Sequence, residues 1–311
     1  MKSRIFKKSL LYICVFLPGF PIAVLADATD GGDDDEIEAS IEMDLVTIGN
    51  AQSQAGNAAV GASGLLLEAE YEGESIAFSL GLERWQYDWT NPENLPFISG
   101  TTTAPWSTFN TLQFGVAYET EGFDERWEFS YYAEAESSFE KEMSASYEYE
   151  LGVDVNYELS ESWHVSFVPN FEYLDAEGGE FGMDIEIEWN HDKKDGWSGE
   201  YELSTEFPET SMSYHFTPAF STTLFLSESG TSTIRLSDSS PVIGMAGGYL
   251  EDEIQTIGAR LSYEAANESY LSFSIQQNMQ RQLTFIDARG VESAYSLGDS
   301  LGVSIVFSYS F

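Results

Sequence analysis

The sequence is poor in residues that form covalent or metal cross-links. It has one cysteine, Cys14, and three histidines in 311 residues. Cys14 lies in the N-terminal segment that we expect to be removed, so the rest of the chain has no disulfide and no thiol ligand. We therefore expect no cofactor and no metal centre.

Positive charge is also scarce. Thirteen Lys and Arg oppose fifty-three Asp and Glu, a formal net charge of −40. A phosphate backbone would be repelled, so nucleic acid is excluded as a partner, and docking on an anionic membrane surface is disfavoured. Spanning a membrane is not excluded, provided that the charges face away from lipid.

Long apolar runs are absent beyond the first residues. Four basic residues precede an apolar run over 10–25, and Val24 and Ala26 supply small residues before a cleavage point. We predict a signal peptide over 1–26, whose removal takes the net charge to −44. An uncleaved anchor is disfavoured because the run is short and contains two prolines.

An acidic stretch follows the predicted cleavage point. Residues 27–36 contain four aspartates in 30–35 and a glutamate, with Gly31 and Gly32 among them. Glycines among like charges favour a disordered leader over the alternative, a calcium-binding segment. We assign 37–311 to one domain.

That domain alternates with a period of two. Between 145 and 159 the odd positions are Ala, Tyr, Leu or Val, and the even positions are Ser, Glu, Gly, Asp or Asn. Such a strand has one apolar and one polar face, and a helical period does not fit. Fourteen segments fit a strand: 37–48, 62–72, 75–90, 107–119, 127–138, 145–159, 163–174, 181–190, 197–205, 211–220, 223–236, 252–264, 269–286 and 299–311.

The lengths of the connections indicate how these strands are arranged. Short turns, as at 73–74 and 160–162, alternate with long links, as at 91–106 and 237–251. Short periplasmic turns and long outer loops are typical of outer-membrane barrels. We predict an all-β fold: a single closed antiparallel transmembrane β-barrel, with an even number of about 12 to 14 strands and both termini on the periplasmic side. The predicted location is the bacterial outer membrane, after export, in contact with outer-membrane lipid.

Tryptophans flank the predicted short turns. Trp127, Trp163, Trp189 and Trp197 all lie on apolar strand faces at this end, where they would form the periplasmic aromatic girdle. We expect a matching outer girdle from the aromatic residues of 85–89. The apolar face of that strand changes parity at 83–84, which a β-bulge or exit from the membrane would explain.

The C-terminal strand ends on alternate apolar residues that include Phe307, Tyr309 and Phe311. This pattern resembles the C-terminal signal by which the outer-membrane assembly machinery recognises bacterial barrels. The chain from 37 onwards also resembles an uncharacterised family of bacterial outer-membrane barrels, in the stretch 106–127, in the strand–turn–Trp unit at 157–163 and in the closing segment 271–311. The resemblance implies a barrel fold, but no activity and no site residues.

Acidic residues dominate the polar face of the strands between 127 and 205. If the barrel closes, they form a lumen-facing wall: Glu148, Glu150, Asp154, Glu158, Asp184, Glu186, Glu188, Glu200 and Glu202. This wall predicts a cation-preferring pore or weak cation binding along the wall. The alternative is that the whole protein is acidic, as in a saline habitat, and that the lumen shares this composition.

Two further functions are considered. The barrel could be a structural or surface-exposed protein whose outer loops, 91–106 and 237–251, bind a partner. It could also be an outer-membrane lipid hydrolase, since Ser213 and His215 share a polar face. No third orienting group or oxyanion site accompanies them, so we expect no enzyme. Passive transport of small solutes is the leading hypothesis, and the sequence leaves the oligomeric state open.

Overall fold

The protein is described from a computed structural model. The structure describes residues 11–17, 20–26, 38–53, 57–73, 75–98, 104–121, 124, 126–175, 178–190, 195–204, 208–265, 269–287 and 289–310. The predicted acidic leader and Phe311 lie outside the described residues.

Fourteen long strands account for most of the described chain. They are β3 (Glu38–Gln52), β4 (Ala59–Glu72), β5 (Ile76–Thr90), β6 (Thr108–Glu121), β7 (Trp127–Phe139), β8 (Tyr147–Ser160), β9 (Trp163–Leu174), β10 (Gly178–Trp189), β11 (Gly196–Leu203), β12 (Pro208–Thr217), β13 (Phe220–Arg235), β14 (Tyr249–Glu264), β15 (Tyr270–Ile286) and β17 (Ser300–Ser310). Three shorter strands, β1 (Leu11–Leu17), β2 (Phe20–Ala26) and β16 (Glu292–Ser296), and one 3-10 turn (Pro92–Asn94) lie outside this set.

The fourteen strands form a closed antiparallel barrel. Each pairs with its neighbour in sequence from β3 to β15, β17 pairs with β15, and the pairing of β17 with β3 closes the ring. Strands β1 and β2 pair only with each other, and β16 extends the edge of β15. The predicted single closed barrel is confirmed, at the upper end of the predicted strand number. No helix in the described part of the chain is long and apolar enough to cross a membrane.

Connections of two kinds alternate around the barrel. Tight turns such as 161–162 and 218–219 lie at the end where the chain leaves β17, and the long links 91–107, 236–248 and 287–299 lie at the opposite end. The break between β12 and β13 was predicted at 221–222 but lies at Pro218–Ala219. Proline has no N–H to donate to a ladder, so the turn forms there and the Ser/Thr residues after it stay in the strand.

The outward face of the wall is an apolar belt. Large side chains on alternate positions are exposed there, and the most exposed is Phe181, at 81%. A soluble protein would bury such a continuous surface, whereas lipid solvates it. Members of the belt from around the ring are Leu45, Leu80, Phe114, Leu151, Met183, Leu224, Ile257, Ile275 and Leu301.

The outer end of the barrel contains an apolar core, which we call the outer cap. Residues 91–98 and 104–107 of one outer loop and residues 236–248 of another fold inward, and the two loops meet in a bridge between Ile98 and Val242. Trp106, 1% exposed, lies at its centre. The buried members of the cap are Ile48, Ala51, Ala58, Val60, Ala62, Tyr87, Leu95, Phe97, Ile98, Trp106, Phe109, Ile234, Leu236, Val242, Met245, Leu250, Ile254, Leu283, Phe285 and Leu297.

The aromatic residues of 85–89 point into the barrel, so the prediction that they form an outer lipid girdle is wrong. Tyr87 is 5% exposed, and the Trp89 ring lies 4.9 Å from the Trp106 ring. The pairing of β5 with β4 and β6 is unbroken here, so there is no bulge. The parity changes because the outer part of β5 leaves the membrane: its outward residues become polar, and its aromatic residues pack into the cap.

Polar contacts hold the outer loops around the cap. The end of β13 crosses to the end of β7, where the N–H of Glu140 donates to the carbonyl of Arg235 at 2.9 Å. Outside the membrane-spanning strands, Asp287 accepts hydrogen bonds from the Arg289 side chain and from the N–H groups of Val291 and Arg289. These contacts hold the pKa of Asp287 at about 2, below its usual value of 3.8.

Replacing Trp106 by alanine should loosen the outer cap. Its ring contacts those of Trp89, Phe109, Phe285 and Tyr87 at 4.9 to 6.0 Å, and emptying such a site costs about 3–5 kcal/mol. We expect the free energy of unfolding, measured in urea on the bilayer-inserted barrel, to fall by that amount. Ile243→Ala, at an exposed position of loop 236–248, is the control and should change it by about 0.5 kcal/mol or less. Equal losses in the two variants would contradict the packing of Trp106.

Candidate functional site

The lumen is a concave surface that gathers the acidic residues singled out from the sequence. The nine carboxylates of the predicted wall lie at even positions of β8, β10 and β11. The odd positions of these strands carry the exposed apolar belt, so the nine share the inward face. The register places Glu186 beside Glu202, and Glu188 beside Glu200.

A row of four glutamates crosses this wall. Glu134 of β7 pairs in register with Glu150 of β8, Glu150 with Glu172 of β9, and Glu172 with Glu180 of β10. Adjacent strands lie ~4.8 Å apart, and like charges placed opposite each other destabilise a sheet. The row therefore needs hydrogen-bond donors from the protein, or water and mobile cations, to offset the repulsion.

Neutral side chains supply some of those donors. Tyr132 donates to Glu150 at 2.7 Å, Gln113 donates to Glu134 at 3.1 Å, and Asn170 donates to Glu150 at 3.1 Å. Donors without charge stabilise carboxylates and leave the net negative charge of the wall in place.

Glycines opposite these donors let them lie across the neighbouring strand. A Cβ built on Gly152 would come within 2.3 Å of the Tyr132 ring, and one on Gly182 within 2.2 Å of the Asn170 amide oxygen. A Cβ built on Gly81 would come within 3.0 Å of the Gln113 amide oxygen. The side chains therefore follow the wall instead of projecting into the lumen.

The structure adds acids that the sequence prediction did not include. Glu42 and Asp44 of β3, Glu68 of β4 and Glu83 of β5 share the inward face on the other side of β7. The alternation in β3 and β4 was visible in the sequence. Their place beside the predicted wall was not, because it depends on how the ring closes.

The rest of the lumen is nearly neutral. Inward positions of β12 to β15 and of β17 are mainly Ser, Thr, Asn and Gln, with Arg260 among them. This wall and part of the acidic wall enclose a cavity of about 880 Å³. No group of three or more His, Cys, Asp and Glu in the described part of the chain is arranged to hold a metal ion.

A buried ion pair lies among the cavity-lining residues. Arg281 donates from Nε and Nη2 to Asp252 at 2.8 and 2.5 Å, both residues are 1% exposed, and Tyr87 donates to Asp252 at 3.3 Å. Removing one partner of such a pair would leave an uncompensated buried charge, so the pair fixes how β14 and β15 meet the cap.

The histidines show no hydrolase arrangement in the residues that the structure describes. Ser213 exchanges a hydrogen bond with Thr223 at 2.7 Å, and His215 approaches Ser198, not Ser213, at 3.5 Å. His164 faces Glu188 at 3.7 Å. His191 lies outside the described residues.

The four tryptophans of the predicted girdle lie at the short-turn end. Trp163 and Trp189 pair in register, with ring centroids 6.3 Å apart, and Trp127 lies 4.4 Å from Tyr157. Trp197, 52% exposed, contacts Tyr214. Phe307 and Tyr309 of the predicted assembly signal face outward from β17. Their recognition by the outer-membrane assembly machinery stays a prediction.

The comparisons with known proteins bear on the fold. No family model and no curated protein matches the chain. A TodX monoaromatic hydrocarbon channel variant is similar in structure, with a TM-score of 0.51 and 8% identity, over 90% of this chain and 91% of that one. The KdgM porin matches with a TM-score of 0.37 and 9% identity, over 86% and 99% of the two chains. A FadL homologue of Pseudomonas aeruginosa matches with a TM-score of 0.43 and 9% identity, over 88% of this chain and 89% of that one.

The fold is that of a bacterial outer-membrane barrel. The closed ring, the apolar belt and the TodX likeness agree on this point. Identity of 8% shows the fold alone, so the function must be argued from the lumen of this barrel.

Replacing Gly152 by alanine should displace Tyr132 from Glu150, because the added Cβ would overlap the ring. We expect a loss of about 1–3 kcal/mol in the free energy of unfolding, the usual cost of overpacking. The double variant Gly152→Ala/Tyr132→Ser should lose less than the sum of the two single variants, since the small side chain leaves room for the Cβ. Additive losses in urea unfolding would show that the two residues do not share this space.

Proposed function

We propose that the barrel is a passive channel for small polar solutes and that its acidic wall favours cations. One observation carries the proposal: the outer cap fills only part of the ring. Every buried member of the cap comes from 48–109 or 234–297, and none from the strands between. Among the described residues, the lumen face of β7 to β12 therefore contributes nothing to the apolar core that fills the other side.

The rim of the barrel is low on the same side. Strand β11 pairs with β10 only over Ile185–Trp189, so in the described part of the chain Gly178–Asp184 of β10 pairs only with β9. The connections here, 140–146 and 175–177, are short beside loop 91–107. On this side the outer part of the wall carries Glu172 and Glu180 and, among the described residues, no buried member of the cap.

The charge of this wall supports the cation preference. Carboxylates line β7, β8, β10 and β11 in adjacent register, and the described residues of these four strands contain no lysine or arginine. Rings of Asp and Glu side chains select cations in channels because they raise the local cation concentration. An acidic habitat adaptation would place carboxylates on every polar surface, whereas the Ser-rich wall of β12 to β17 has few.

Neutralising the wall should reduce the cation preference. In Glu148→Gln/Glu150→Gln/Glu186→Gln/Glu188→Gln the reversal potential, measured in a planar bilayer under a salt gradient, should move toward zero while the barrel stays folded. The control neutralises four exposed acids outside the lumen, Asp88, Glu93, Glu161 and Glu292, and changes the net charge equally. We expect this control to keep the wild-type value.

Two results would count against the proposal. A barrel that stays silent at all voltages would favour a non-conducting surface protein. A lumen variant with the same reversal potential as the wild type would show that the acidic wall does not determine the ion selectivity. Heat-dependent gel mobility in detergent checks that each variant is folded.

A further inference from the structure

The Ser- and Thr-rich part of the lumen wall carries a second feature, a row of hydrogen-bond donors around one arginine. Ser213, Thr223, Arg260, Ser274 and Ser304 occupy one register row across β12, β13, β14, β15 and β17. All five line the lumen cavity. We call this set the donor row; it contains no acid.

Arg260 is the central cation of this row. In the described part of the barrel it is the one lumen-facing Lys or Arg whose side chain has neither a hydrogen bond nor an ion pair. Its guanidinium lies 5.4 Å from the centre of the Phe225 ring, which holds it over the wall. A guanidinium has five N–H donors in a fork that matches a carboxylate.

The hydroxyls on either side of Arg260 keep donors to spare. Ser213 and Thr223 share one hydrogen bond at 2.7 Å, and Ser274 and Ser304 share one at 2.6 Å. Each hydroxyl has one proton, so each pair uses one O–H and leaves the other free. Arg260 therefore stands between two O–H donors, which suits a group with two acceptor oxygens.

Carboxylates line the same cavity on both sides of this row and opposite it. Glu200 of β11 and Asp44 of β3 lie on the two strands that flank the row, and Glu136 of β7 stands seven strands from β14 in the ring of fourteen. Asp44 attracts Arg260 electrostatically. The cavity thus combines one cation and a row of neutral donors with several carboxylates. A simple anion would be repelled by the carboxylates, and a simple cation leaves the donor row unused.

We propose that the lumen binds small zwitterions of the amino-acid type, with the carboxylate on the donor row and the ammonium group toward the carboxylates that line the same cavity. This inference deepens the proposed channel function and rests on it. A molecule with both groups can bind Arg260 through its carboxylate and the lumen carboxylates through its ammonium group. The volume of about 880 Å³ leaves room for such a molecule with its water.

The test compares three probes by ligand-observed saturation-transfer NMR on the detergent-purified full barrel: glutamine, N-acetylglutamine, which lacks the ammonium group, and glutaminamide, which lacks the carboxylate. We expect glutamine to bind about tenfold more tightly than either analogue, because losing the hydrogen bonds of one charged group weakens binding by about that factor. Equal affinity for the three, or no binding, would overturn the inference.

Arg260→Gln should weaken glutamine about tenfold and leave glutaminamide unchanged, because glutaminamide has no carboxylate for the row. Ser213→Ala/Thr223→Val, which removes one hydroxyl pair together with its free donor, should act in the same direction and serves if the arginine variant does not fold. Arg84→Gln removes an exposed arginine from the outward face of β5 and should change nothing. Unchanged glutamine binding in both row variants would overturn the inference.

This measurement is independent of conduction. A barrel that binds glutamine but passes no current would keep the zwitterion site and contradict only the channel. A barrel that conducts but does not distinguish the three probes would keep the channel and contradict the site.

Discussion

Lipid offers no hydrogen bonds, and this constraint shapes the entire molecule. Each backbone N–H and C=O within the membrane must find a partner in the protein, and a sheet satisfies all of them only when it closes. The pairing of β3 with β17 closes the ring. Once the ring is closed, alternate side chains must face lipid or water, and the period-two pattern follows from that division.

This division places an energetic cost in the lumen, the repulsion between like charges. Charges excluded from the lipid face are concentrated inside, where adjacent strands bring Glu134, Glu150, Glu172 and Glu180 into one row. Uncharged donors such as Tyr132 lower the cost, and opposing glycines make room for them. These donors add no positive charge to the wall, whereas an ion-paired wall would lose its net formal charge.

The barrel is asymmetric at its outer end. One part of the ring carries the outer cap, with Trp106 at its centre and the Arg281–Asp252 pair tying β15 to β14. The other part has a lower rim and an acidic face. The proposed path for polar solutes and the stabilising apolar core therefore occupy different strands.

The sequence by itself determined the fold class, the strand segments, the apolar belt and the parity of the acidic wall, since alternation fixes which face each residue shares. It misplaced the aromatic residues of 85–89, because parity does not show where a strand leaves the membrane. Only the tertiary structure decided which strands face each other across the lumen, that loops 91–107 and 236–248 fold inward, and that Arg260 stands between two hydroxyl pairs. These features join residues far apart in sequence, through ring closure and loop packing, which no local pattern encodes.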